Sequence, residues 1–219
     1  MSTATDTPPS LRYERDPQAI YRASFAAIRR EADLSGLSED EARVAVRAIH
    51  ACGMPDIARV LRFVGDPASA ARRAVASGAP VLVDTSMVAH GLIRRNLPKD
   101  HPVVCLISDP NTLCLAKERA TTRSAAAVDV WGDRLEGAVV VIGNAPTALF
   151  RLLERLDEGA PRPAALFAFP VGFVGAQESK LAFATDPRGL DGVTLLGRRG
   201  GSAIAAAAFN AVFADEGAA

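Results

Sequence analysis

The chain has 219 residues, 49% hydrophobic and 5% aromatic, with 25 basic side chains against 25 acidic ones. That length allows one substantial domain with a sizeable core. The charge balance argues against a nucleic-acid binder, which carries a basic excess on one face, and no apolar run is long enough to span a bilayer. The cysteines Cys52, Cys105 and Cys114 are odd in number, with no CxxC and no histidine at metal spacing. Neither a disulfide framework nor a zinc site is therefore expected, and reduced thiols suit a cytoplasmic protein. Residues 1–10 are polar and hold no apolar core, so no signal peptide is expected. Residues 1–12 are expected to form a flexible tail, and residues 13–219 a single domain.

In chain order, Asp16-Pro17 is an N-cap with proline at the first helical position, opening a helix to about Glu31. Ser38 and Glu41 make a capping box for a helix that runs to His50. Gly53 and Pro55 stop it. A short helix is expected from Asp56 to Phe63, and Asp66-Pro67 starts another that ends at Gly78. Five short apolar runs then read as strands: residues 80–84, 103–107, 138–142, 163–169 and 192–196. Helical segments alternate with them: 86–91, 111–119, 123–134, 147–156, 176–183 and 203–213. This alternation predicts an α/β fold: a mainly parallel five-stranded sheet with helices on both faces and an N-terminal helical extension.

Ligands of open parallel sheets bind outside the carboxyl ends of the strands. The loops Gly143-Asn144-Ala145-Pro146-Thr147, Pro170-Val171-Gly172-Phe173-Val174-Gly175 and Gly200-Gly201-Ser202 all fall there, each just before a helix. Glycine lets backbone approach a ligand, and helix starts offer free N–H groups to anions. Thr121-Thr122-Arg123-Ser124 adds hydroxyls and a guanidinium. The implied ligand is large and carries several separate negative groups. Neither G-x-G-x-x-G nor G-x-x-x-x-G-K-[ST] occurs, so spread carboxylates fit better than a pyrophosphate. For any one loop the alternative is a tight strand-to-helix turn and nothing more.

His50 sits in the last turn of its helix, where terminal carbonyls favour imidazolium. It is a candidate acid; the alternative is a capping or core histidine with a satisfied ring. Cys52 lies two residues on, and side chains two apart on a helix diverge, so a Cys-His pair is not expected.

These stretches resemble the precorrin-8X methylmutase (precorrin isomerase) family. The matching motifs are Ala48-Ile49-His50-Ala51-Cys52-Gly53, Asp84-Thr85-Ser86-Met87-Val88-Ala89-His90-Gly91, Thr122-Arg123-Ser124-Ala125-Ala126, Ile142 through Leu149, Pro170 through Lys180, and Gly200-Gly201-Ser202. They span about Tyr13 to Phe213. The resemblance implies an isomerase that needs no cofactor or metal and moves a methyl group from C11 to C12 of precorrin-8X. The product is hydrogenobyrinate, on the route to cobalamin. It also implies a cytoplasmic homodimer with active sites near the subunit interface. His50 takes the role of the acid.

The residues implied to meet the tetrapyrrole and its acetate and propionate arms come from several stretches. They are Ser86, Met87 and His90; Thr122, Arg123 and Ser124; Asn144, Ala145, Pro146 and Thr147; and Val171, Gly172, Phe173, Lys180, Gly201 and Ser202. Several of these carry a second reading. His90 is a pocket residue or a structural helix-end histidine. Met87 belongs to core or pocket wall, and Lys180 is a carboxylate partner or a solvated helix residue. Asp84 touches substrate or holds a loop donor, and His101 is expected in an exposed loop. Two other functions compete: a corrinoid carrier that hands hydrogenobyrinate to the next pathway enzyme, and a nucleotide-dependent α/β enzyme.

Overall fold

A computed structural model describes residues 13–214. The expected tail, residues 1–12, lies outside the described residues. Helix α1 (Pro17–Glu31) starts on Asp16, whose side chain accepts from the Gln18 amide. Helix α2 (Glu39–Cys52) starts on the reciprocal Ser38/Glu41 pair. It stops at Gly53, whose backbone is left-handed (φ 69°) and whose amide donates to the Ile49 carbonyl at 2.7 Å.

The sheet has six strands: β1 (Leu61–Val64), β2 (Val81–Val83), β3 (Val103–Cys105), β4 (Val139–Ile142), β5 (Ala165–Ala168) and β6 (Asp191–Leu195). Their order is β1-β6-β5-β4-β2-β3, with β1 antiparallel to β6 and every other pair parallel. The expected five strands are all present, and β1 is the correction. The expected helix from Asp56 to Phe63 is a 3-10 turn over Pro55–Val60, followed by this edge strand. Leu61 is buried while Arg62 faces out, a two-residue period that a four-residue segment hides in the helical signal before it. Pairing of Leu61 with Leu195 and of Phe63 with Val193 decides its state.

Alternate strand residues feed two cores. Val81, Val83, Val139, Val141, Phe167 and Val193 face α2, α3 (Pro67–Ala76), α4 (Ser86–Gly91) and α9 (Ser202–Val212). Leu82, Val140, Ile142 and Leu166 face α6 (Arg123–Trp131), α7 (Pro146–Asp157) and α8 (Ala176–Thr185). The remaining helix is α5 (Pro110–Glu118). Helix α9 is buried along most of its length between the sheet, α2 and α4. Only small side chains allow so close a packing, which accounts for its run of alanines. The expected N-terminal helices are present and pack onto this unit: α2 covers α9, and α1 covers α2. His101 is buried, not in an exposed loop, and burial lowers its pKa. Within the otherwise exposed segment 98–102 only His101 is buried, with Asp100 left-handed and the Arg94 guanidinium donating to the His101 carbonyl. Among the described residues no helix is long and apolar enough to cross a membrane.

Candidate active site

Helices α4, α7, α8 and α9 all begin where a parallel strand ends, and their N-cap residues make no side-chain cap. By contrast α1, α2, α3, α5 and α6 are each capped by an oxygen of their own N-cap residue. The turn that leads into α7 is held by a side chain from another strand end. Asp84, at the end of β2, accepts from the amides of Gly143, Asn144 and Ala145, each at 2.9 Å. Asp84 is buried, and burial pushes its carboxyl above the usual range against the pull of those three donors. Of its two readings, it holds the loop. The backbone donors of 143–145, expected to be free for a ligand, are therefore taken.

The other loops interlock around one another. The Gly201 amide donates to the Phe169 carbonyl at 2.8 Å and the Gly172 amide to the Arg198 carbonyl at 3.2 Å. Gly143 lies so close to α4 and α9 that a Cβ there would come 2.6 Å from Val88 Cγ2 and 2.8 Å from Ser202 Cα. The hydroxyls of Thr122 and Thr147 meet at 2.8 Å, joining the starts of α6 and α7. Arg123 and Asn144 are exposed beside that pair, with Ser124, Ala145 and Pro146 half-buried. Met87, Val171 and Phe173 form an unusually exposed apolar set, with Phe173 85% exposed and the Arg198 guanidinium 5.4 Å from its ring centroid. Ser86 and His90 are exposed on α4, where His90 Nδ1 lies 2.6 Å from the Ser86 carbonyl oxygen.

His50 is exposed at the end of α2. Its ring stacks on Phe25 at 5.0 Å and meets the edge of Tyr21 at 6.0 Å, so two aromatic side chains of α1 back it. It borders a hollow of about 260 Å³ with Ser24, Ala27, Ile28, Glu31, Gly53 and Pro55. Arg199, from the loop before α9, reaches Asp56 at 2.7 Å and lies against Met54 Sδ. This contact brings the histidine end of α2 to the same edge of the sheet as the loops. Sequence reasoning missed it, because no spacing rule links position 199 to position 56. A larger cleft of about 550 Å³ opens at the other end of α2, around Ser38, Asp40, Arg43 and Asp66. At 1.5 Å rise per residue it lies about 18 Å from His50, and its charges already pair, Asp40 with both Arg43 and Arg72.

Two expected contacts are not at the surface. Ser202 is buried, as the first residue of α9. Lys180 is fully buried, and its ammonium donates to the Arg199 carbonyl at 2.6 Å. It is thus not solvated; it supports the Gly200–Ser202 loop from beneath. Burial lowers its pKa to about 8, against about 10.4 for an ordinary lysine. The unfolded chain therefore holds more protons between about pH 8 and 10.4, so stability rises with pH across that window. Below it both states are protonated and the cost of the buried charge is constant. Lys180→Met is expected to abolish this rise. Urea midpoints of both proteins from about pH 7.5 to 10.5 check it, and parallel curves would refute it.

Among the described residues no group of three or more His, Cys, Asp or Glu side chains is placed to hold a metal ion. Residues 19–214 match the family described as precorrin-8X methylmutase (CbiC). A Pseudomonas aeruginosa protein named precorrin-8X methylmutase is 56% identical over 200 residues, covering 91% of this chain and 96% of that one. A Methanothermobacter thermautotrophicus protein named cobalt-precorrin-8 methylmutase is 36% identical, with 83% of this chain and 84% of that one covered. The crystal structure of precorrin-8X methylmutase from Thermus thermophilus superposes with a TM-score of 0.79 at 37% identity, covering 90% of this chain and 94% of that one.

Proposed function

The chain belongs to the precorrin-8X methylmutase family and is an isomerase; from that premise we propose that it converts precorrin-8X to hydrogenobyrinate in cobalamin biosynthesis. The methyl group moves from C11 to C12 within one molecule. The C11–methyl bond breaks as the C12–methyl bond forms, and the displaced electrons stay in the macrocycle. His50 protonates or hydrogen-bonds the ring nitrogen beside the migrating carbon, and the proton it lends is recovered at the end. Acid help of this kind is typically worth ~10²–10⁴-fold, and positioning supplies the rest. Neither metal nor cofactor takes part. The metal-free substrate is preferred to the cobalt form because identity is 56% to a protein named for the former and 36% to one named for the latter.

One observation carries this reading. An exposed imidazole, backed by aromatic rings, stands at the same sheet edge as the uncapped starts of α8 and α9, with Arg123 and Asn144 beyond them. An acid, dispersed anion donors and apolar surface for a ring are what a carboxylate-fringed tetrapyrrole needs. The hollow beside His50, about 260 Å³, is below the ~300–1,000 Å³ of enclosed small-molecule sites. The macrocycle therefore lies across Met87, Val171 and Phe173, and a second copy covers it, making a homodimer. From residue 13 onward the chain works as one domain, in the cytoplasm, passing its product to the next corrin-pathway enzyme.

Incubating the protein with precorrin-8X tests the reaction. The expected outcome is a spectral shift to hydrogenobyrinate over many turnovers without added cofactor. A protein that binds hydrogenobyrinate but leaves precorrin-8X unchanged is a carrier.

A further inference from the structure

Three successive backbone amides aimed at one point form a concavity that takes an anion, and phosphate-binding loops are built this way. The turn between β4 and α7 is such a concavity, and Asp84 already occupies it. The pairing of β2 with β4 sets Val83 opposite Val141, so Asp84, the residue after β2, reaches the turn. One carboxylate oxygen of Asp84 takes the Gly143 amide, and the other takes those of Asn144 and Ala145. The site is closed from behind, because Gly143 packs against Val88, Ser202 and Ala205. A residue whose only task was to end a strand would not need both oxygens satisfied in the core.

We propose that Asp84 is a positioning and specificity residue: its carboxylate fills the amide nest of the 143–145 turn, so that the turn presents the Asn144 side chain and Thr147 to the substrate instead of gripping an anion. This accounts for a strand-glycine-helix turn in a protein whose ligand carries no phosphate. A phosphate brought to the turn meets a buried carboxylate where it needs donors. The turn is also pinned to the strand that leads into α4, so Ser86, Met87 and His90 keep their register with Asn144. The role of Asn144 and Thr147 in this account rests on the function proposed above; the filled nest does not.

The test uses Asp84→Ala, which empties the nest, and Asp84→Asn, which keeps its volume but sets an amide N–H against an amide N–H. Asp84→Ala is expected to melt about 10 °C below the parent. Sodium formate at about 100 mM should recover several degrees of that loss by supplying the missing carboxylate, which matched sodium chloride should not do. Formate should leave the parent and Asp84→Asn unmoved. This readout needs no substrate, so it stands even if turnover of precorrin-8X fails. With substrate, at a temperature well below melting, both variants are expected to lose about 10²-fold in kcat/KM, mostly through KM. Formate should restore part of that in Asp84→Ala alone. Asp84→Asn serves on its own if the alanine variant does not fold. An unchanged KM in folded variants would reduce Asp84 to a structural role, and no response to formate in Asp84→Ala would overturn the filled nest.

Discussion

Replacing His50 with glutamine is expected to lower kcat by about 10²–10⁴-fold while hydrogenobyrinate still binds. Glutamine can hydrogen-bond a ring nitrogen but cannot protonate it, so it separates the two forms of help an imidazole offers. His50→Ala removes both and should fall at least as far. The ring is exposed and stacks on Phe25 without filling the core, so neither change opens a cavity. Melting temperatures should stay within a few degrees of the parent. Steady-state turnover and titration of the coloured product, run on the same preparations, read the two effects apart. A glutamine variant with full turnover would remove the acid from the mechanism. Lost product binding with unchanged kcat would make His50 a contact residue.

The second large effect is expected at Gly200, where alanine should cost about 3 kcal/mol and roughly 10 °C in melting temperature. A Cβ there would lie 2.4 Å from the Phe169 carbonyl oxygen and 2.5 Å from that of Pro170. Both are backbone atoms and cannot swing aside as a flexible side chain would. Moving them breaks the bond from the Gly201 amide to Phe169, which closes the start of α9 against the end of β5. It also loosens the neighbouring bond from the Gly172 amide to Arg198. The loops carrying Phe173 and Ser202 would separate, so product affinity should fall with stability. Arg198→Ala, on the same loop but facing solvent, loses only its stacking on Phe173. It should stay within about 1 kcal/mol of the parent. Differential scanning calorimetry of the three proteins checks this. A Gly200→Ala protein that melts with the parent would show that the two loops are not locked together.

Much of this protein was determined by its sequence alone, wherever the cause is local. The Ser38/Glu41 cap, the left-handed stop at Gly53 and the histidine held one turn before it depend on residues within a few positions of each other. So do the five parallel strands, each of which carries a short apolar run between turn residues. The site loops were legible for the same reason: each is a glycine turn directly after such a strand. What only the tertiary structure decided depends on partners far away along the chain. Strand β1 exists because Leu61 finds Leu195, and a segment of four residues has too little local preference to resist. Lys180 is buried because Arg199 offers a carbonyl beneath the loop. Arg199 itself ties that loop to Asp56, beyond the end of the histidine's helix. Asp84 fills its nest because strand register sets Val83, the residue before it, opposite Val141. Short-range dihedral preference and hydrophobic period are written in neighbouring residues. The burial of a charge and the partner of a donor are set only when distant segments pack, because desolvation acts on what surrounds a group in space.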